Sequence, residues 1–157
     1  MTLQAKVLTV SDGVFHGVRD DRSGVALTEQ LVSAGWEVVE HRVVADGVES
    51  VGEALRVLSD GFAGLIVTTG GTGFGPRDLT PEGTMAVLER LAPGIAEATR
   101  LINAPLGRLS RGVAGTRGRA LIINTPGSPK GCVECLGAVL DMVPHALSLM
   151  TGETTIH

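Results

Sequence analysis

Two aspartates in glycine-bearing turns, Asp46 and Asp78, are the side chains of this chain best placed to do chemistry. Asp78 lies in Thr69-Gly70-Gly71-Thr72-Gly73-Phe74-Gly75-Pro76-Arg77-Asp78, directly after the apolar run Leu65-Ile66-Val67. Glycines at this density leave backbone N–H groups bare, and such groups form concavities that bind anions. The helix start Thr80-Pro81-Glu82 adds the favourable end of a dipole behind them. A carboxylate inside an anion-binding loop repels its ligand unless a cation stands between them. Hard divalent cations such as Mg²⁺ are held by one or two carboxylates and complete their shell with water and phosphate oxygens. Asp46, in the turn Ala45-Asp46-Gly47, is the natural second carboxylate and Asp12 a third candidate. The competing reading for each is a solvated surface acid.

Other chemistries fail on spacing. A P-loop ends in Gly-Lys-Ser/Thr, whereas Gly75 is followed by Pro76 and the segment holds no lysine. A dinucleotide fingerprint starting at Gly71 and Gly73 needs a third glycine where Pro76 stands. His16, His41, His145 and His157 show no ligand spacing and read as structural or surface residues. Cys132 and Cys135 are CxxC-shaped, but no second Cys/His pair completes a zinc site, so both read as packing residues of the last helix. Ser11, Ser110 and Ser128 have no partnered His and Asp, which disfavours a serine hydrolase.

These residues need a scaffold, and 157 residues suffice for one domain spanning 1–157. With 43% apolar and 19% charged residues the chain reads as globular. Thirteen basic against 17 acidic residues, with one Trp, three Phe and no Tyr, provide neither a basic groove nor stacking platforms for nucleic acid. No apolar run approaches the ~18 residues of a membrane span, and the N-terminus runs into a strand pattern without a signal-peptide core. With only two cysteines, the expectation is a reduced, cytoplasmic protein.

The pattern predicts strands at 5–10, 36–44, 64–69 and 120–124, with 11–24 as a loop. Helices are predicted around Leu27 and Leu31, ended by Gly35; from a capping box of Ser50 and Glu53, burying Val51, Leu55 and Leu58; and from a Thr80 cap, burying Met85, Leu88 and Leu91. Pro93-Gly94 reads as a break before a helix at 95–103, and a long final helix through Val133, Leu136 and Leu140 is kinked at Pro144. Apolar strands alternating with amphipathic helices indicate an α/β three-layer αβα sandwich on a mostly parallel sheet. Ligands of such sheets sit beyond the carboxyl ends of the strands. The segments at Ser11-Asp12, Asp46, Gly70 to Asp78 and Thr125 to Lys130 all follow strands, so all four can meet at one rim.

Thr69-Gly70-Gly71-Thr72-Gly73, with Gly75-Pro76-Arg77-Asp78-Leu79-Thr80-Pro81-Glu82, closely resembles the signature of the MoaB/Mog molybdopterin-binding domain family. Asp21-Arg22-Ser23-Gly24, Leu109-Ser110-Arg111 and the segment from Asn124 to Lys130 support it, and the resemblance spans nearly the whole chain. The Arg77-Asp78-Leu79-Thr80-Pro81 version resembles the molybdopterin adenylyltransferases within that family. The resemblance implies attack of molybdopterin's terminal phosphate on the α-phosphorus of ATP, releasing pyrophosphate. The product would prime a later, molybdate-inserting enzyme. It further implies Asp46 and Asp78 as the acids of Mg²⁺-dependent catalysis, and Gly70, Gly71, Thr72 and Gly73 as the backbone nearest the phosphates. Ser110, Asn124, Pro126, Gly127 and Ser128 would line the rest of the pocket, and the protein would be a trimer or hexamer. Ser11-Asp12-Gly13 departs from members that carry Arg after this aspartate, which leaves Asp12 without an implied role. The rival reading is a MoaB-type protein that binds molybdopterin or its precursor without adenylylating it; more distant is an unrelated nucleotide-binding enzyme of similar fold.

Overall fold

A computed structural model describes residues 2–153 of the chain, so His157 lies outside the described residues. Six strands form one sheet: β1 (Gln4–Val10), β2 (Glu37–Val44), β3 (Gly64–Thr69), β4 (Arg90–Leu91), β5 (Ala114–Arg117) and β6 (Ala120–Thr125). Their order is β2-β1-β3-β6-β5-β4. The first four are parallel, and β5 runs antiparallel to both β6 and β4.

Every residue of β3 and β6 is buried, as expected of strands covered on both faces. Alternate residues of each go to opposite layers. Leu65, Val67, Leu121 and Ile123 meet α2 (Arg22–Ser33), α5 (Pro93–Ile102), α6 (Pro129–Gly137) and α7 (Val143–Met150) through Leu27, Leu31, Ala96, Leu136, Val143 and Leu147. Ile66 and Ile122 face the other way, onto Val51, Leu55 and Leu58 of α3 (Val48–Ser59) and Val87 beyond α4 (Thr80–Met85). The three-layer α/β sandwich on a mostly parallel sheet is therefore present.

Several local expectations give way. The segment 11–24 holds a short helix, α1 (Asp12–Phe15), and the start of α2, capped by the Asp21 carboxylate on the Gly24 N–H. Ser50 does not cap α3. That helix starts at Val48, and Ser50 donates instead to the carbonyls of Ala45 and Gly47. Thr80 is the first helical residue rather than the cap, because its hydroxyl is engaged by the Gly70 carbonyl at 2.9 Å. α4 stops at Met85, leaving Met85 and Leu91 exposed, and buries Gly83 and Thr84 instead. Pro93 opens α5 rather than breaking the chain, and the final helix is two, with Pro144 in the first turn of α7. Among the described residues no helix is long and apolar enough to cross a membrane.

After β1 the chain steps outward to β2, then returns to place β3 on the other side of β1. This reversal opens a crevice beyond the carboxyl ends of β1 and β3, where sheets of this kind bind ligands.

Candidate active site

The four post-strand segments do converge. A cavity of about 600 Å³ is bordered by Ser11 after β1, Asp46 after β2, Gly70, Gly71 and Asp78 after β3, and Ser128 after β6. A second cavity of about 400 Å³ lies across the glycine loop, against Thr72, Gly73, Ser110 and Pro126. Gly71, Asp78 and Gly127 border both. The backbone N–H groups of Gly71, Thr72, Gly73, Gly127 and Ser128 donate no hydrogen bond among the described residues. Free donors grouped in this way beside two cavities form the kind of nest that binds anionic oxygens.

The glycine loop is held in place from below. Gly70 donates to the Thr125 carbonyl at 3.1 Å, and Thr80 donates through its N–H to Gly71 O at 3.0 Å. Gly71 has φ 70°, and a Cβ there would stand 2.3 Å from Thr80 Oγ1 and 3.1 Å from Asp46 Oδ1. Glycine is needed here on both counts. Asp78 closes the far end of the loop, accepting from the Gly75 N–H at 2.8 Å.

Asp46 and Asp12 hold each other. The Asp12 N–H donates to Asp46 Oδ2 at 2.9 Å, and the Asp46 N–H donates to Asp12 Oδ1 at 3.1 Å. Arg77 then grips Asp12 with two guanidinium nitrogens and donates to the Asp46 carbonyl at 2.9 Å. The hydrogen bond from Arg77 keeps the Asp12 carboxyl below its ordinary pKa. Burial, with the charges of Asp12 and Asp78 adding, pushes the Asp46 carboxyl up; the bond from the Asp12 N–H opposes this. Asp12 is therefore paired with a guanidinium, while Asp46 and Asp78 border the larger cavity, each accepting one backbone N–H and neither in an ion pair among the described residues.

That donor set fits a hard divalent cation. Among the described residues no group of three or more His, Cys, Asp or Glu side chains could hold a metal ion alone. Two carboxylates beside an anion nest suit a cation whose remaining ligands are water and phosphate, as with Mg²⁺.

Of the expected binding residues, all but Asn124 border a cavity. Asn124 is 4% exposed, donates to Thr68 Oγ1 and Thr84 Oγ1, and accepts from the Val113 N–H. It ties α4 to the sheet behind the wall. Three arginines went unassigned. Arg19 and Arg22 border the larger cavity with no side-chain partner among the described residues. Arg19 was hidden because 11–24 read as a loop, and Arg22 stood in the Asp21-Arg22-Ser23-Gly24 motif without a role of its own. Arg111 braces the glycine loop through its bond to Gly73 O. Cys132 and Cys135 are buried and unpaired as expected, and burial pushes the Cys135 thiol up to about 11. His41 pairs with Asp21 at 2.9 Å, a structural contact.

The profile of a family described as the probable molybdopterin binding domain matches residues 6–145. The chain is 39% identical over 157 residues to the molybdopterin adenylyltransferase of Helicobacter pylori strain J99, covering 96% of this chain and 89% of that protein. It is 36% identical over 170 residues to the molybdopterin adenylyltransferase of Escherichia coli K12, covering 96% and 87%. The crystal structure of the molybdopterin biosynthesis enzyme MoaB from Thermus thermophilus superposes with a TM-score of 0.90 at 48% identity, covering 96% and 98% of the two chains.

Proposed function

Since the chain belongs to the molybdopterin-binding domain family, we propose that it adenylylates molybdopterin in molybdenum cofactor biosynthesis, using ATP and releasing pyrophosphate. The observation that carries this reading is the pair of cavities meeting over one glycine loop, with Asp78 bordering both. Two substrates seated on either side would bring their phosphates together at that loop.

Transfer between phosphates asks a protein mainly for positioning and charge neutralisation. The free N–H groups of Gly71, Thr72, Gly73, Gly127 and Ser128 bind phosphate oxygens in this reading, while Arg19 and Arg22 add positive charge at the larger cavity. Ser110 and Pro126 help shape the smaller one. Asp46 and Asp78 hold Mg²⁺, which when bound supplies the charge that stabilises the leaving pyrophosphate. Self-association into a trimer or hexamer, residence in the cytoplasm and delivery of the product to a molybdate-inserting enzyme belong to the same reading. Exposed Leu101, Ile102, Leu106 and Leu109 support the self-association.

The test is incubation with ATP, Mg²⁺ and molybdopterin, scoring adenylylated pterin and pyrophosphate. Asp46→Asn and Asp78→Asn should each lower the rate by about 10²–10³-fold while retaining pterin binding. A second reading is binding without adenylylation: the similar Thermus protein is described as a molybdopterin biosynthesis enzyme, MoaB, with no adenylyl transfer named. A wild-type protein that binds pterin, forms no adenylate and is matched by both variants would establish that reading instead.

A further inference from the structure

Arg111 borders neither cavity, yet it ties the glycine loop to the rest of the fold at several points. Its own N–H donates to Thr72 O at 2.9 Å. Its Nε donates to Gly73 O at 2.7 Å and its Nη2 to the carbonyl of Asp78. Nη1 donates to Glu82 Oε2 at 2.6 Å, and Nη2 reaches Glu82 Oε1 at 3.3 Å. One planar guanidinium thus spans both arms of the loop and the first turn of the helix beyond it. All three of its nitrogens are engaged, in the fork geometry that only arginine offers, and the Phe74 ring lies 5.9 Å from its Cζ.

We propose that Arg111 is a positioning residue, fixing the backbone of Asp78 so that its carboxylate meets Asp46 across a divalent cation; this rests on the metal and transfer roles proposed above. Between Gly73 and Asp78 the chain is exposed, and inside that excursion Asp78 is steadied only by its bonds with Gly75. Arg77 anchors the neighbouring residue to Asp12 and the Asp46 carbonyl, and the bond that reaches the Asp78 backbone itself from outside the loop comes from Arg111. Isolated surface ion pairs contribute little, but this guanidinium also ties down two backbone carbonyls of the loop itself. A lysine keeps the charge and loses the fork, so it cannot hold Gly73, Asp78 and Glu82 at once.

The experiment compares wild type, Arg111→Lys and Glu82→Gln by three readouts: Mn²⁺ affinity in the presence of ATP, kcat and KM for adenylyl transfer, and thermal midpoint. Groups that orient metal ligands typically cost about 10–100-fold in metal affinity or activity when changed. Arg111→Lys should show a loss of that size in Mn²⁺ affinity and in kcat. Glu82→Gln, a half-exposed position outside both cavities, should show a smaller loss in the same direction. A folded Arg111→Lys with wild-type Mn²⁺ affinity and kcat, altered only in thermal midpoint, overturns the proposal. If Arg111→Lys does not fold, unchanged Mn²⁺ affinity in Glu82→Gln overturns it instead. If wild type forms no adenylate, the transfer reading fails, and the Mn²⁺ comparison alone decides the role of Arg111. A wild type with no Mn²⁺ site overturns both.

Discussion

Gly71 and Gly73 stand two residues apart and respond differently to an added side chain. Gly71 is left-handed, and its Cβ would strike Thr80 Oγ1. The handedness alone costs about 1–2 kcal/mol, so Gly71→Ala should lower the thermal midpoint measurably, and Gly71→Val more so. Gly73 lies outside the left-handed region, and its Cβ would meet only Asp78 Oδ2, at 3.0 Å. Gly73→Ala should therefore leave the midpoint almost unchanged while lowering adenylyl transfer severalfold, since the Asp78 carboxylate must give way and misplacing a catalytic group by about 1 Å can cost 10²-fold. Calorimetry and a rate assay on the same preparation check both, and full activity in Gly73→Ala would show that Asp78 tolerates displacement. At this scale the arrival of Asp46 and Asp78 at one cavity was legible, because both stand in loops that follow parallel strands and such loops meet at one rim of the sheet. The engagement of Asp12 by Arg77, 65 positions away, left no local trace. Glycine density was ambiguous as well: Gly83 has no ligand role, and its Cβ would stand 2.7 Å from Val51 Cβ.

Helix starts decide where the loops point. Ser128 caps α6 by accepting from the Gly131 N–H at 2.9 Å, and it also borders the larger cavity. Ser128→Ala should cost about 1 kcal/mol, which is about 2–4 °C of thermal midpoint in a chain of this size. It should also weaken ATP binding, because the loop bearing the Gly127 and Ser128 N–H groups loses its anchor; paired unfolding and binding titrations would register both. Unchanged stability would mean that the cap contributes nothing. Element types for β1, β3 and β6 followed from short apolar runs bounded by turn residues, and for the outer strand β2 from alternation. The antiparallel β5 was not legible: Ala114-Gly115-Thr116-Arg117 is four residues with a glycine inside, and its pairing with β6 is a tertiary fact. Ser50 and Thr80 were misread for one reason. A hydroxyl near a helix start can bond backbone outside the helix instead, the preceding turn for Ser50 and the far end of the glycine loop for Thr80, and sequence spacing does not separate these from a cap.

Across the molecule, the site places two carboxylates that form no ion pair among the described residues at the rim of one cavity. Asp46 has its pKa raised in the folded state, so its ionised form is less stable there than in the unfolded chain. Well above both pKa values the group is charged in both states and the native state bears the penalty. Below the ordinary value of 3.8 it is neutral in both, and the penalty is gone. Asp46→Asn should accordingly raise the thermal midpoint at pH 7 without divalent cations, modestly because solvent screens a partly exposed carboxylate, with the gain shrinking as pH falls toward 3.8. ATP with Mg²⁺ should stabilise wild type by mass action and leave the variant behind. Scanning calorimetry at two pH values, with and without ligand, would check the sign, and a variant less stable than wild type at pH 7 would contradict it. The two rims of the sheet bear on a different property. β2 pairs only with β1 and carries Glu37, Glu40 and Arg42 along its length, while β4 at the other rim is two residues long. Charged or very short outer strands resist templating by a second chain. The most amyloid-like stretches, Gly64–Thr69 and Ala120–Thr125, lie at the centre and are sealed on both faces. Native solutions should stay clear at high concentration, and precipitation should begin only where heating or denaturant opens the middle of the sheet.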